Sequence, residues 1–133
     1  MLKYLLDTNI VIYVLKRRPA EILETFNKHA SRMAISTITL SELMYGAEKS
    51  QNTAKNLEVI EDFISHLEVL SYDANASQHY GDIKAFLERG GTPIGVNDIH
   101  IAAHARSHGY TLVTNNVREF NRVPNLAIEN WIE

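Results

Sequence analysis

Short apolar runs alternate with helix-like patterns from one end of the chain to the other, and at four of the junctions stands a carboxylate. The acids are Asp7 after Tyr4-Leu5-Leu6, Glu42 after Ala34-Ile35-Ser36, Asp98 after Ile94-Gly95-Val96, and Glu119 after Leu112-Val113-Thr114. Short strands alternating with helices predict an α/β fold, a parallel sheet covered on both faces. In such a fold the carboxyl ends of the strands share one edge, and ligands bind there. Four acids gathered on that edge repel one another unless something cationic sits between them. The pattern therefore implies a site for one or two divalent ions, and a metal-dependent hydrolase acting on phosphodiesters.

The element pattern is readable in some detail. Lys3 to Leu6 is expected as a buried strand, Asn9 to Lys16 as a helix, and Ala20 to His29 as a second helix opened by Pro19. Met33 to Ser36 follows as a strand and Thr39 to Lys49 as a helix. Thr53 to His66 is amphipathic, with Leu57, Ile60, Ile64 and Leu67 on one face. Glu68 to Ser71 is strand-like, and Asp73 to Arg89 is a helix stopped by Gly90-Gly91. Ile94 to Val96 reads as loop or short extended chain before a helix from Asp98 to His108. Tyr110 to Thr114 and Leu126 to Glu129 are the last strands.

The chain of 133 residues fits one domain spanning 1–133, with enough length to bury a core. No apolar run approaches the roughly 20 residues a membrane span needs, and Asp7 and Asn9 interrupt any signal-peptide pattern. With no cysteine, thiolate metal sites and disulfides are excluded, and a cytoplasmic location is expected. The formal charge is −3, yet with the four acids set aside the balance turns slightly positive. A selective nucleic-acid partner fits that balance better than a broad electrostatic coat.

Each acid, taken singly, also fits a structural role, because helix N-termini favour negative side chains. Asp7 is placed to cap a helix near Asn9, and Thr39-Leu40-Ser41-Glu42 has the form of a capping box. Asn97-Asp98 and Asn116-Val117-Arg118-Glu119 read the same way. Taken together, the acids lack basic neighbours apart from Arg118, which favours ligand duty. Mg²⁺ suits a cysteine-free cluster of oxygen donors, with Mn²⁺ as its substitute. Asn9, two residues after Asp7, is a candidate for holding that carboxylate or a ligand.

Other features invite two readings each. His100, His104 and His108 share one helix side at a spacing zinc uses, although helix faces hold histidines without metal too. Lys16, Arg17, Arg18, Arg89, Arg118 and Arg122 are candidate phosphate contacts or plain surface charge. Tyr13, Met44 and Tyr45 form a candidate apolar patch for a protein partner or second subunit, or belong to the core. Gly46, inside a helical pattern, suggests close helix packing.

Four segments together carry a family resemblance: Leu6-Asp7-Thr8-Asn9-Ile10, Ser41-Glu42-Leu43 with Gly46, Asp98-Ile99-His100-Ile101-Ala102-Ala103-His104-Ala105, and Leu112-Val113-Thr114-Asn115-Asn116 with Glu119-Phe120. In this order and spacing the chain resembles the PIN-domain ribonucleases, and more narrowly the VapC toxins of bacterial toxin–antitoxin pairs. The resemblance implies an α/β/α sandwich and Mg²⁺-dependent endonucleolytic cleavage of RNA. It implies metal-binding roles for Asp7, Glu42 and Asp98. Many relatives carry an aspartate near Thr114-Asn115-Asn116, where this chain has asparagines; Glu119 is expected as the distal carboxylate, with Asn116 or Thr114 orienting a water or phosphate. It further implies a VapB-type antitoxin whose tail enters the groove, dimers within larger toxin–antitoxin assemblies, and operator DNA bound through the antitoxin. The resemblance makes initiator tRNA, cut in the anticodon loop, the leading expected substrate.

Two other readings stay open. A haloacid-dehalogenase-like phosphatase would use Asp7 as nucleophile and Thr114 on phosphate, but wants a second aspartate where Asn9 stands. A PIN-like module that binds RNA or protein without cleaving finds support in Asn115 and Asn116.

Overall fold

The computed structural model describes residues 1–132. Among them five strands make one sheet: β1 (Tyr4–Leu6), β2 (Met33–Ser36), β3 (Glu68–Leu70), β4 (Thr111–Val113) and β5 (Ile128–Glu129). All pairings are parallel, in the order β3-β2-β1-β4-β5. The chain moves outward from β1 to β3, then returns to the other side of β1 for β4 and β5. That reversal opens a crevice at the carboxyl ends of β1 and β4, the place where open α/β sheets bind ligands.

Four helices, α1 (Thr8–Lys16), α2 (Ala20–Lys28), α3 (Thr37–Glu48) and α4 (Thr53–Ile64), cover one face. The other is covered by α5 (Ala74–Arg89), α6 (Val96–His108) and the single turn α7 (Val117–Phe120). Strand side chains point alternately to the two faces. Leu6, Ile35 and Val113 accordingly join the core beneath α1–α4, and Leu5, Ala34 and Leu112 the core beneath α5–α7. Strands β1 and β2 are buried along their whole length, so they read as unbroken apolar runs. The expected α/β/α sandwich is the fold observed.

Several local expectations shift. Helix α3 begins at Thr37, capped by Ser36, whose hydroxyl accepts from the Ile38 amide at 3.0 Å. Thr39 is thus inside the helix and buried, and the capping box with Glu42 does not form. Glu42 sits in the second turn of α3, one step removed from the strand end. No strand precedes Asp98: Gly95 is the extended N-cap of α6, which makes Asp98 the third residue of a helix. The helix start read at Asn116-Val117-Arg118-Glu119 is the single turn α7, four residues being too few to show a period. Gly46 does not serve close packing, since a Cβ there would meet no atom within 4 Å. Of the apolar trio, Tyr45 alone is exposed, while Met44 packs on the core and Tyr13 is half-buried. Among the described residues no helix is long and apolar enough to cross a membrane.

Candidate active site

Asp7 leaves β1 at the crevice and occupies the N-cap position of α1 without a side-chain capping hydrogen bond. Only 3% of its surface is exposed. Its Oδ2 accepts from the Thr114 hydroxyl at 2.8 Å, a bond that joins the ends of β1 and β4 across the reversal point. The same hydroxyl accepts from the Asn116 amide at 3.0 Å, so Thr114 also shapes the turn into α7. Burial raises the Asp7 pKa above the usual carboxylate value, and the charge of Glu42 adds to the rise. The Thr114 hydroxyl and the nearby Thr8 and Asn9 amides act the other way.

Glu42 is held at both oxygens. Thr8 donates to Oε1 at 2.5 Å, and the Asn97 amide donates to Oε2 at 3.1 Å. Thr8 Oγ1 also lies 3.2 Å from the Thr39 hydroxyl, which explains a buried threonine within α3. These contacts bring α1, α3 and α6 to one point. Neither Thr8 nor Asn97 stood among the sequence candidates; their only signal was adjacency to Asp7 and Asp98.

Asp98 is half-buried, and its pKa is pushed up to about 6. Burial is the main cause, followed by the charges of Asp7, Glu119 and Glu42. The three other predicted acids therefore all act on the Asp98 carboxyl group. Glu119 reaches the group from α7, half-buried. Asn9 is exposed and lines the adjoining cleft with Glu42 and Asn97. Asn115 donates to the Tyr13 hydroxyl at 3.3 Å, while its Oδ1 is buried without a partner among the described residues.

No basic side chain among the described residues forms an ion pair with the cluster. Among the described residues the one ion pair is Arg106–Asp82 at 2.6 Å, which clamps α6 to α5. Nor do three of the Asp, Glu or His side chains among them close up into a ready cage for a metal. Carboxylates that are uncompensated yet open suit a hard cation that keeps part of its water shell, as Mg²⁺ does. A closed tetrahedral zinc site would need tighter convergence.

The histidine ladder is occupied otherwise. Nδ1 of His100 is 2.8 Å from the Tyr72 hydroxyl, and the His100 ring stacks on Tyr80. His104 is fully buried with Nδ1 2.8 Å from the Ser36 hydroxyl, and His108 stacks on Tyr110. Of the candidate phosphate contacts, Arg122 is committed to the Pro93 carbonyl at 3.0 Å, tying the chain after α7 to the segment entering α6.

Comparison with known proteins agrees with this architecture. The PIN domain family model matches residues 4–126. The chain is 60% identical over 132 residues to the Haemophilus influenzae protein named Ribonuclease VapC2, covering 99% of this chain and 100% of that one. It is 56% identical over 131 residues to the Salmonella typhimurium tRNA(fMet)-specific endonuclease VapC, covering 98% and 99%. Among solved structures, that of DNA-bound VapBC from Salmonella typhimurium superposes with a TM-score of 0.95 at 56% identity, covering 98% of this chain and 99% of that one. VapBC-1 from nontypeable Haemophilus influenzae superposes at 0.91 with 38% identity, covering 99% and 100%. A relative at that identity over the full length leaves no place for the haloacid-dehalogenase-like reading. The chain belongs to the PIN-domain family and, within it, to the VapC ribonucleases.

Proposed function

We propose that the chain is the toxin of a toxin–antitoxin pair, a Mg²⁺-dependent endoribonuclease whose substrate is initiator tRNA, cut in the anticodon loop. The observation that carries the reading is the group of four acids, without a cationic partner among the described residues, at the β1/β4 crevice. Asp7, Glu42 and Asp98 are the residues that would hold the cation, with Glu119 as the fourth. When bound, a divalent ion of this kind lowers the pKa of water and offsets charge on the leaving oxygen. Mn²⁺ would substitute for Mg²⁺.

The chain's own residues set the geometry. Thr114 keeps its proton on the Asp7 side, fixing that carboxylate on the rigid sheet edge. Thr8 and Asn97 lock both oxygens of Glu42, so α3 presents a fixed ligand despite the freedom of a glutamate side chain. Asn116, held through its own amide, and Asn9, on the cleft wall, are the groups placed to orient a water or phosphate. The substrate assignment rests on the name of the Salmonella typhimurium relative.

A VapB-type antitoxin is the proposed partner, binding operator DNA in its turn, within a complex built on a toxin dimer in the cytoplasm. An apolar groove of about 400 Å³ between α1, α3 and α4 supports this, lined by Ile12, Leu15, Leu43, Val59 and Ile60 and ending at Glu42. Sequencing RNA ends from cells briefly expressing the chain, beside its Asp7→Ala variant, tests the reading. One new cut in initiator tRNA, absent with Asp7→Ala, is expected; a cut that persists in the variant would overturn the site.

A further inference from the structure

Beside Glu42, helix α3 carries further residues facing the same cleft. Glu42, Tyr45, Gly46 and Lys49 are spaced three and four apart, so they share one helix face. All four line a cleft of about 620 Å³, together with Asn9 and Asn97. That is the size of a small-molecule site, which runs from about 300 to 1,000 Å³.

Three features of this face are unexplained by folding. Tyr45 is 66% exposed, more than any other large hydrophobic residue among those described except Met1. Lys49 is the one cation lining the cleft, and its ammonium lies 4.9 Å from the Tyr45 ring centroid, free of any ion pair among the described residues. Gly46 costs helix stability for no packing gain, since nothing lies within 4 Å of where its Cβ would be. A glycine in that position keeps the floor between Glu42 and Tyr45 open. An exposed aromatic ring, a cation beside it and an open floor next to acids match what unpaired RNA demands. Single-stranded bases are gripped by stacking on aromatic rings, and phosphates by lysine.

We infer that this cleft is a nucleotide subsite: Tyr45 stacks on the base of one unpaired nucleotide adjoining the scissile phosphate, and Lys49 contacts that nucleotide's phosphate. The inference rests on the ribonuclease reading and adds to it the residues that seat the substrate. A stacked base occupies the Tyr45 face that Lys49 leaves free or displaces the ammonium toward the phosphate.

The test uses the anticodon stem-loop of initiator tRNA carrying 2-aminopurine at successive loop positions. Binding is read with the full-length Asp7→Asn chain, in which cleavage is blocked, and kcat/KM with chains keeping Asp7. Fluorescence should be quenched at one loop position, with the quench lost in Tyr45→Ala and kept in Tyr45→Trp. Tyr45→Ala should lower kcat/KM about 5- to 150-fold with Tm unchanged. Lys49→Ala should flatten the salt dependence of binding, its logarithmic slope falling by about 0.7. Gly46→Ala should raise Tm and yet weaken cleavage. Tyr45→Ala cleaving as well as the unsubstituted chain would overturn the subsite. So would an effect of Tyr45→Ala confined to oligomer mass or antitoxin affinity, which would make this face a protein interface. Quenching at one position by a chain that never cleaves would support the subsite and overturn the ribonuclease reading.

Discussion

The Thr114 hydroxyl donates to a buried aspartate and accepts from a loop amide, so one hydroxyl group orders two parts of the site. Thr114→Val keeps the shape and removes both bonds. It should destabilise the fold by about 1–3 kcal/mol, the cost of leaving buried partners unmet, as read by urea unfolding. It should also reduce cleavage about 10- to 100-fold, the usual cost of losing a group that orients a ligand, while Thr114→Ser retains both properties. Asp98 offers a test with the opposite sign. Its pKa is raised from 3.8 to about 6, so the folded state holds the proton more tightly than the unfolded one. Its contribution is therefore favourable below the unfolded value and is lost as pH rises through the folded one. In metal-free protein, Asp98→Asn should raise Tm by a few degrees at neutral pH, with the gain vanishing near pH 4; thermal melts across that range decide it. A gain that persisted at low pH would mean that something other than the carboxyl charge is responsible.

At the scale of elements, helix α6 carries both Asp98, a proposed metal ligand, and a buried histidine. His104 is fully buried, hydrogen-bonded through Nδ1 to the residue that caps α3, with Nε2 left without a partner among the described residues. It therefore ties the helix of Asp98 to the helix of Glu42. Burial, reinforced by His108 and opposed by Asp73, lowers its pKa from 6.5, so the neutral ring is the one that fits the fold. A depressed pKa of this kind stabilises above the unfolded value and loses that contribution as pH falls. Unfolding free energy should drop as pH falls below about 6.5, and His104→Gln should flatten that drop; an unchanged slope in the variant would assign the acid sensitivity elsewhere. Elements of this kind were also where the sequence was hardest to read. The strands announced themselves because β1 and β2 are buried on both sides. The start of α3 did not, because Ser36, Thr37 and Thr39 all resemble caps and only the backbone turn at Ser36 decides among them. The histidine spacing admitted zinc beside the commoner packing role, and the aromatic partners of His100, Tyr72 and Tyr80, stand far from it in the chain.

For the whole molecule, what matters is that the sheet order brings distant segments to one crevice. Asp7 and Thr114 are 107 residues apart and share a hydrogen bond, because β1 and β4 are neighbours at the reversal of the sheet. The four acids were visible in the sequence as residues at element boundaries. Their gathering on one sheet edge was expected from the α/β pattern, but the Thr8 and Asn97 support for Glu42 was not, since no periodicity encodes a contact between three helices. A site assembled from β1, α3, α6 and α7 should fail as a unit when its shared charge is left uncompensated. The most direct measurement is the rate at which purified, antitoxin-free protein cleaves initiator tRNA as Mg²⁺ is chelated and then restored, beside the Asp7→Asn and Asp98→Asn variants. Cleavage that disappears with chelation, returns with Mg²⁺, and is lost in both variants is the expected result. Cleavage that continues at an undiminished rate without divalent ions, or in either variant, would contradict a carboxylate-held metal as the basis of the activity.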